Sequence, residues 1–523
     1  MEPSEKKQYL LEERQVFSRS KIWSLQRRYF AEKGIEAWRQ GEVPQYITCN
    51  PSIANSYAEI VFAFWCDQNR RASGSAAAEE PLSICELGAG SGRFAYHFLY
   101  RLSRLCEQAG VALTAFRYVL TDFMPSTLDS LRRHPRFRDF LAEGVLETAQ
   151  FDIARSERLN LDVSGRSITA GSLRRPLVVI ANYVFDSIPS DLFYFDAAGC
   201  HLGLLSLLLD EEPGQLGTAD LLTRLQYRYD YRRLTEPPYA DDALGALLAG
   251  YQRTLSGTHL LFPADALRCL QRLRALSQDG LLLLSADKGD HRLSAVQRRQ
   301  PPILVSHGSF SLTVNYDAFR SFCEQSGGLA LVPGAHPKSL SVVGLLMVRD
   351  AESHLETRRA YRRHVQDFGP DDFFCVVKHA QKSLASMSLE DILAYLRLSY
   401  FDSQQLACCL PRLLKLAPEL DPDQRQALTA AIDRVWEQYF PLAEAFDLAF
   451  QIAGLLYALD DYAGALVYLE RSIESYGEFA GTLYNMAVCH KLLGHQGEAE
   501  SLARKVLQFD PGNRQAQELL AGE

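Results

Sequence analysis

Eleven cysteines are scattered through this 523-residue chain without one Cys-x-x-Cys pair. An odd count with no metal-ligand spacing reads as reduced thiols, and no metal constellation appears elsewhere. Adjacent Cys408 and Cys409 fall in a helical pattern and read as packing residues. No apolar run reaches the length of a membrane span, and the first residues, Met-Glu-Pro-Ser-Glu-Lys-Lys, carry no apolar targeting core. A cytoplasmic protein with no membrane partner is therefore expected. Clustered cations are lacking too. A formal net charge of −9 argues against nucleic acid as a partner, because phosphate contacts need grouped Lys and Arg. What is present is an ordinary globular balance, 47% hydrophobic and 23% charged, in a chain long enough for roughly three domains.

Residues 1–80 read as an N-terminal helical cap, with charged and apolar residues at helical spacing from Leu10 to Tyr29 and a second helix over Ser52–Asn69. The small, polar stretch Arg71–Glu80 reads as a loop. From 81 to 350 strand and helix patterns alternate, which implies a parallel sheet. Its expected strands are Leu82–Leu87, Arg117–Thr121, Val145–Gln150, Leu177–Asn182, Gly280–Ala286 and Ser341–Val348, with a hairpin-like stretch at Ser309–Tyr316. Residues 200–258 are too long for one crossover and read as an insertion over the cleft, whose Tyr227–Tyr231 would be an aromatic lid were the acceptor a small molecule. A helical linker or repeat-like region is expected over 351–440. In 441–523, Ala453 and Ala487, Leu459 and Leu493, and Ala465 and Ala499 each lie 34 residues apart. That is the period of tetratricopeptide repeats, in which small residues let paired helices pack closely, and Pro511 falls where such a repeat ends.

The most informative stretch is Ile84-Cys-Glu-Leu-Gly-Ala-Gly-Ser-Gly-Arg-Phe-Ala-Tyr-His-Phe-Leu99. A short apolar strand carries Glu86, the loop Gly88-Ala89-Gly90-Ser91-Gly92 follows, and an amphipathic helix begins. Such a loop brings backbone N–H groups close to a ligand at a helix N-terminus. A dinucleotide fold needs glycine where Arg93 stands. The Gly-x-Gly-x-Gly spacing with an acid two residues upstream resembles instead the first motif of class I S-adenosylmethionine (SAM) methyltransferases. A Rossmann-like α/β sheet with SAM as cofactor is the expectation this resemblance carries.

The remaining strand ends support a cofactor site. Asp122 ends the second strand, where a carboxylate can accept from both ribose hydroxyls; a helix cap is the other reading of that residue. Asp152 follows the third strand and is suited to accept from the adenine amine, with Phe123 and Phe151 lining the adenine plane. The expected cofactor set is Glu86, Gly88, Ala89, Gly90, Gly92, Asp122, Phe123, Phe151, Asp152 and Asn182. The fourth strand ends in Asn182-Tyr183-Val-Phe-Asp186. Asn182 offers a carbonyl to a substrate amine, Tyr183 a hydroxyl and an aromatic face, and Asp186 a carboxylate. These three are the catalytic candidates; Asn182 as a helix cap and Asp186 as a loop anchor are the structural alternative. His307 is a weaker candidate.

Four motifs occur in one order: the glycine loop, Ala181-Asn-Tyr-Val-Phe-Asp-Ser-Ile-Pro189, Leu281-Leu-Leu-Leu-Ser-Ala-Asp-Lys-Gly289 and Ser309-Phe-Ser-Leu-Thr-Val-Asn-Tyr-Asp-Ala-Phe319. Together with Tyr46–Glu59 they resemble the MidA family, which includes the mitochondrial complex I assembly methyltransferase. The resemblance spans roughly residues 20–350 and does not include the helical tail. It implies protein arginine methylation, yet the family's glutamate after the fourth-strand asparagine is Tyr183 here, and its aspartate–tyrosine–glycine is Asp287-Lys288-Gly289. The leading expectation is a methyltransferase acting on a protein side chain, its repeats recruiting the substrate or partner. A small-molecule acceptor, or a SAM-binding assembly factor with little turnover, are the alternatives.

Overall fold

The computed structural model describes residues 8–72, 79–212, 214, 216–240, 242–307, 309–334, 337 and 339–521. The chain divides into two compact units, Met1–Asp372 and Phe373–Glu523.

The first unit is built on a seven-stranded mixed sheet. Its order across the sheet is Leu329–Leu331, Ser341–Val348, Gly280–Asp287, Leu177–Asn182, Leu82–Leu87, Phe116–Asp122 and Leu146–Gln150. The five strands from Gly280–Asp287 to Leu146–Gln150 run parallel. Near-continuous apolar runs such as Leu281-Leu-Leu-Leu284 fit strands covered on both faces, and these four leucines are fully buried. The chain leaves Leu82–Leu87 toward one edge and returns to Leu177–Asn182 on its other side. The crossovers therefore part between these two strands, opening a crevice at their carboxyl ends.

Two strand expectations need correction. Ser341–Val348 is antiparallel to Gly280–Asp287, and Leu329–Leu331, which the sequence reading omitted, pairs antiparallel with it. The link from Leu331 to Ser341 is shorter than the dozen or more residues that a parallel crossover needs. The hairpin-like stretch resolves into short ladders, Val305–His307 with Ser309–Ser311 and Gly289–Asp290 with Val314–Asn315.

The N-terminal segment is not wholly helical. Tyr9–Val16 is a strand against Leu204–Leu209, because Gly199–Leu209 leaves an open edge that a neighbouring strand can satisfy. It completes a five-stranded antiparallel sheet with Asp191–Asp196, Gly199–Leu209, Gln226–Arg233 and Thr258–Phe262. This sheet is the region read as an insertion, and it begins earlier than residue 200. Tyr227, Tyr229 and Tyr231 pack there with Phe17, Trp23 and Leu205 rather than forming a lid. The helices Lys21–Lys33 and Pro51–Ala72 follow the N-terminal strand. Residues 351–372 stay with the first unit: Asp67 on the second of these helices accepts from the N–H and hydroxyl of Thr357 at 2.9 and 2.8 Å.

The second unit is helical throughout its regular elements. Leu448–Ala458 packs with Tyr462–Tyr476, and Ala480–Leu492 with Gln496–Phe509. Asp447 and Asp461 cap the first two of these helices, accepting from the N–H groups of Phe450 and Gly464. Ala453, Ala465, Ala487 and Ala499 are all buried at the helix contacts, whereas Leu459 is buried and Leu493 is 36% exposed. Among the described residues, no helix is long and apolar enough to cross a membrane.

The close approach of the paired helices sets an expected outcome. Ala499→Leu should overpack the contact and lower stability by about 1–3 kcal/mol, while Leu493→Ala should stay within about 0.5 kcal/mol. Urea midpoints of the two variants check this; equal effects would refute the close-packed register.

Candidate functional site

The loop after Leu82–Leu87 turns on glycine. Gly88, Gly90 and Gly92 have φ of 66°, 52° and 77°, in the left-handed region that side chains disfavour. A Cβ on Gly92 would lie 2.5 Å from the Leu131 side chain. Gly92 therefore serves to swing the chain into the helix Arg93–Ala109 and lines neither cavity described below. The Ala89 N–H donates to the Thr121 carbonyl at 2.8 Å, locking the loop to the neighbouring strand end.

Two adjoining cavities, of about 320 and 330 Å³, occupy the crevice. The first holds Asp122, Phe123, Phe151 and Asp152 from the sequence-derived set. The second holds Glu86, Ala89, Gly90, Asn182 and Asp186. Gly88 and Tyr183 border both. The crevice thus gathers the expected cofactor and catalytic residues, Gly92 excepted.

Burial sets the charge state of these acids. Glu86 accepts from the Tyr118 hydroxyl at 2.8 Å, yet burial, reinforced by Asp122, pushes its pKa up to about 8. Asp122 is pushed up to about 6 by burial, opposed by the amides of Met124, Gly90 and Phe123. It accepts from the Met124 N–H at 2.9 Å, two residues on, and is not the cap of the helix Pro125–Arg133, whose N-cap position is Met124. Asp152 departs from its expected availability. Its oxygens face the Arg27 guanidinium at 2.9 and 3.3 Å, and Oδ1 also accepts from the Ala154 N–H.

The end of Leu177–Asn182 carries the densest chemistry. The Tyr57 hydroxyl donates to Asn182 Oδ1 at 3.0 Å, leaving the buried Nδ2 without a hydrogen-bond partner. Asn182 thus presents a donor, where the sequence reading assigned it a carbonyl acceptor, and no helix follows for it to cap. Tyr183 has φ of 51° and donates its N–H to the Ala286 carbonyl. A side chain held in that region is a mark of strain over-determined by its surroundings. Burial, then Asp287 and Asp186, hold its hydroxyl protonated. Asp186 is pushed up to about 6 by burial, while the Ser187 hydroxyl donates to it at 2.7 Å.

Asp287 sits deeper. Burial and then the charge of Asp186 raise its carboxyl far above the usual range. The amides of Val184 and Phe185 face it without closing well-formed hydrogen bonds. Nearby, the Ser285 hydroxyl donates to the Ala181 carbonyl, so its oxygen accepts from Tyr316. The protons of Tyr57 and Tyr316 are both committed elsewhere, and both oxygens of Asp287 are left without a hydrogen-bond partner. The side chain of His307 lies outside the described residues, and no metal-holding group occurs among those described.

Sequence reasoning missed the roof. Phe30 and Trp38 border both cavities, Arg27 the first, and Gln45 and Lys288 the second. Phe30 stacks on Trp38 at 5.8 Å, and the Trp38 ring lies 3.3 Å from where a Gly90 Cβ would stand. The Ser91 hydroxyl donates to Gln45 Oε1 at 2.7 Å and ties the roof to the loop. The available signal was the aromatic spacing of Trp23, Phe30 and Trp38 just upstream of Tyr46–Glu59.

A family model described as "Putative S-adenosyl-L-methionine-dependent methyltransferase" matches residues 61–317. Among solved structures, the chain is similar to a Burkholderia thailandensis protein bound to S-adenosyl-homocysteine, at 16% identity over 65% of this chain and 90% of that one, TM-score 0.40. It is also similar to the magnesium protoporphyrin IX methyltransferase of Synechocystis with bound S-adenosyl-homocysteine, at 11% identity over 62% and 98%, TM-score 0.27. An O-methyltransferase family protein from Burkholderia thailandensis shows 11% identity over 62% and 70%, TM-score 0.25. No curated protein matches the chain.

Glu86 makes stability depend on pH. The folded chain holds its proton up to about 8, whereas the unfolded chain releases it near 4.5. Its contribution is therefore complete below the lower value and lost as pH rises through the upper one. The ligand-free wild type should lose at least about 1 kcal/mol relative to Glu86→Gln between pH 5 and 8, since one pKa unit is worth 1.36 kcal/mol. Parallel urea titrations across that range check it; parallel curves for both proteins would contradict it.

Proposed function

We propose that this SAM-dependent methyltransferase transfers the methyl group to a side chain of a protein partner, which its helical unit recruits. The carrying observation is the pair of adjoining cavities, one beside Asp122 and the other beside Asp186, meeting at Gly88 and Tyr183. Their residues fit the cofactor. Asp122 would accept from the ribose hydroxyls, Phe123 and Phe151 would flank the base, and Asp152 stands at its edge. The glycine-loop amides and the N-terminus of Arg93–Ala109 would receive the carboxylate, with Glu86 toward the ammonium. Asn182 Nδ2, buried and without a partner, is a donor at the junction of the two ends.

When bound, SAM supplies a methyl group already activated on a sulfonium. The chain's own residues then orient the acceptor and exclude water. Asp186, ionised above pH 6, accepts the proton of a protonated nucleophile, and the neutral Tyr183 hydroxyl donates a hydrogen bond to it. The aromatic roof of Phe30 and Trp38 covers the reacting end.

In this reading the buried alanines at 34-residue spacing make the tail tetratricopeptide-like, and the methyltransferase unit MidA-like, in the cytoplasm. Exposed Phe446, Tyr457, Phe479 and Phe509 on the helical unit favour a protein partner. A small-molecule acceptor is favoured instead by the size of the second cavity, within the range of pockets that enclose small ligands.

Incubating the full chain with methyl-labelled SAM and a cell lysate separates the two. Label in protein that is lost in the double variant Tyr457→Ala, Phe479→Ala, with SAM affinity intact, supports recruitment; label only in small molecules sinks it. Asp122→Ala should weaken SAM binding roughly 10- to 100-fold, the loss of hydrogen bonds to a charged group. Asp186→Asn should cut turnover about 10²- to 10⁴-fold at unchanged SAM affinity. The wild-type rate should rise through pH 6 as Asp186 ionises, and a flat profile would remove it as the base.

A further inference from the structure

The helix Lys21–Lys33 is fastened along the cofactor cavity. Ser20 caps its start, Trp23 donates its indole N–H to the Phe17 carbonyl at 2.8 Å, and Gln26 donates to the Phe310 carbonyl at 2.9 Å. Glu32 accepts from the Thr218 hydroxyl at 3.0 Å. This fastening places Arg27 over the cavity. Its guanidinium carbon lies 4.6 Å from the centroid of the Phe123 ring, and its fork meets both oxygens of Asp152 at 2.9 and 3.3 Å.

A flat group stacked on Phe123, with N–H donors aimed at Asp152, has the recognition chemistry of a purine base carrying an exocyclic amine. Asp122 stands on the preceding residue, where a ribose would be held. Asp152 Oδ1 already accepts from both Arg27 and the Ala154 N–H, so its two lone pairs are filled. An adenine amine reaching this carboxylate finds Oδ1 filled and Oδ2 shared with Arg27.

We propose that Arg27 is a resident stand-in for the adenine ring, which an incoming adenosine moiety must displace from Phe123 and Asp152. The proposal rests on the reading of this cavity as the cofactor site. Arg27 is 52% exposed on its side chain, so the ion pair is screened and exchangeable rather than permanent. A long, flexible arginine stem lets the guanidinium leave while the helix stays fastened. The consequence is a tax on ligand binding: apparent affinity falls in proportion to the fraction of chains in which Arg27 has left the site.

The test is binding of S-adenosyl-homocysteine and adenosine to the full chain, by calorimetry and stopped-flow, for wild type, Arg27→Met and Arg27→Lys. Both probes are uncharged overall, so salt acts mainly on the Arg27–Asp152 pair. Arg27→Met should bind both probes roughly 3- to 10-fold more tightly, mainly through faster association. Raising salt should speed association to the wild type and leave Arg27→Met unaffected. Arg27→Lys, which keeps the charge and loses the flat fork, should fall between them. Unchanged or weaker binding by a folded Arg27→Met protein would overturn the proposal and make Arg27 a wall of the loaded site. A folded wild type that binds neither probe overturns the cofactor reading itself, and the proposal with it.

Discussion

Four buried carboxyl groups crowd the strand ends around one crevice, and this crowding governs the site. Glu86 lies on one strand, Asp122 and Asp287 end two others, and Asp186 follows a fourth; all four are buried. Parallel strands force this arrangement, because their carboxyl ends converge where the crossovers part. Burying an unpaired carboxylate is costly, and each of the four has its pKa raised by that burial. Without a cation the crevice holds more protons than four solvated acids would. A ligand with a sulfonium and an ammonium brings positive charge to these acids.

The fold divides the acids by depth. Asp287 is sealed, and its neighbours Tyr57 and Tyr316 spend their protons on Asn182 and Ser285. Burial and the charge of Asp186 raise its carboxyl well above the usual range. Asp186 opens into a cavity and keeps a Ser187 hydroxyl, so it titrates near 6. Two neighbouring carboxyls with different partners are thus set apart, one sealed and one open to a cavity. The strained Tyr183 backbone between strand and Asp186 is where this loop is bent to suit.

What the sequence disclosed follows from how local the cause was. Apolar runs ending in an acid, and glycines at alternate positions, are local patterns, and Leu82–Leu87 and Leu177–Asn182 carry the bounds read from them. The direction of Ser341–Val348 depends on the length of a link, which the strand pattern does not contain. Tyr9–Val16 became a strand through an edge supplied almost two hundred residues later. The available end of Asn182 was decided by Tyr57, and the occupancy of Asp152 by Arg27, neither of them close in sequence. Side-chain identity was legible at these positions, but the free hydrogen-bonding end was not.

The roof shows the same dependence from the other side. The strand ends contribute carboxyls, amides and glycine suited to holding charge, beside a few apolar side chains such as Phe123 and Phe151. The segment from Trp23 to Cys49 contributes indole and phenyl rings to both cavities and short apolar side chains to the second. Its two ends are fixed, by the strand Tyr9–Val16 in one sheet and by the helix Pro51–Ala72 against Arg93–Ala109. A segment pinned at both ends cannot drift from the crevice, and its middle is held by buried Ile22, Trp23, Tyr29 and Ala37 and by side-chain bonds such as Ser91 to Gln45 and Gln26 to Phe310. Electrostatics strong enough for transfer require a dry site, which the apolar side chains of this segment help to provide. The division between a charged floor and a tethered apolar roof meets this requirement with one chain.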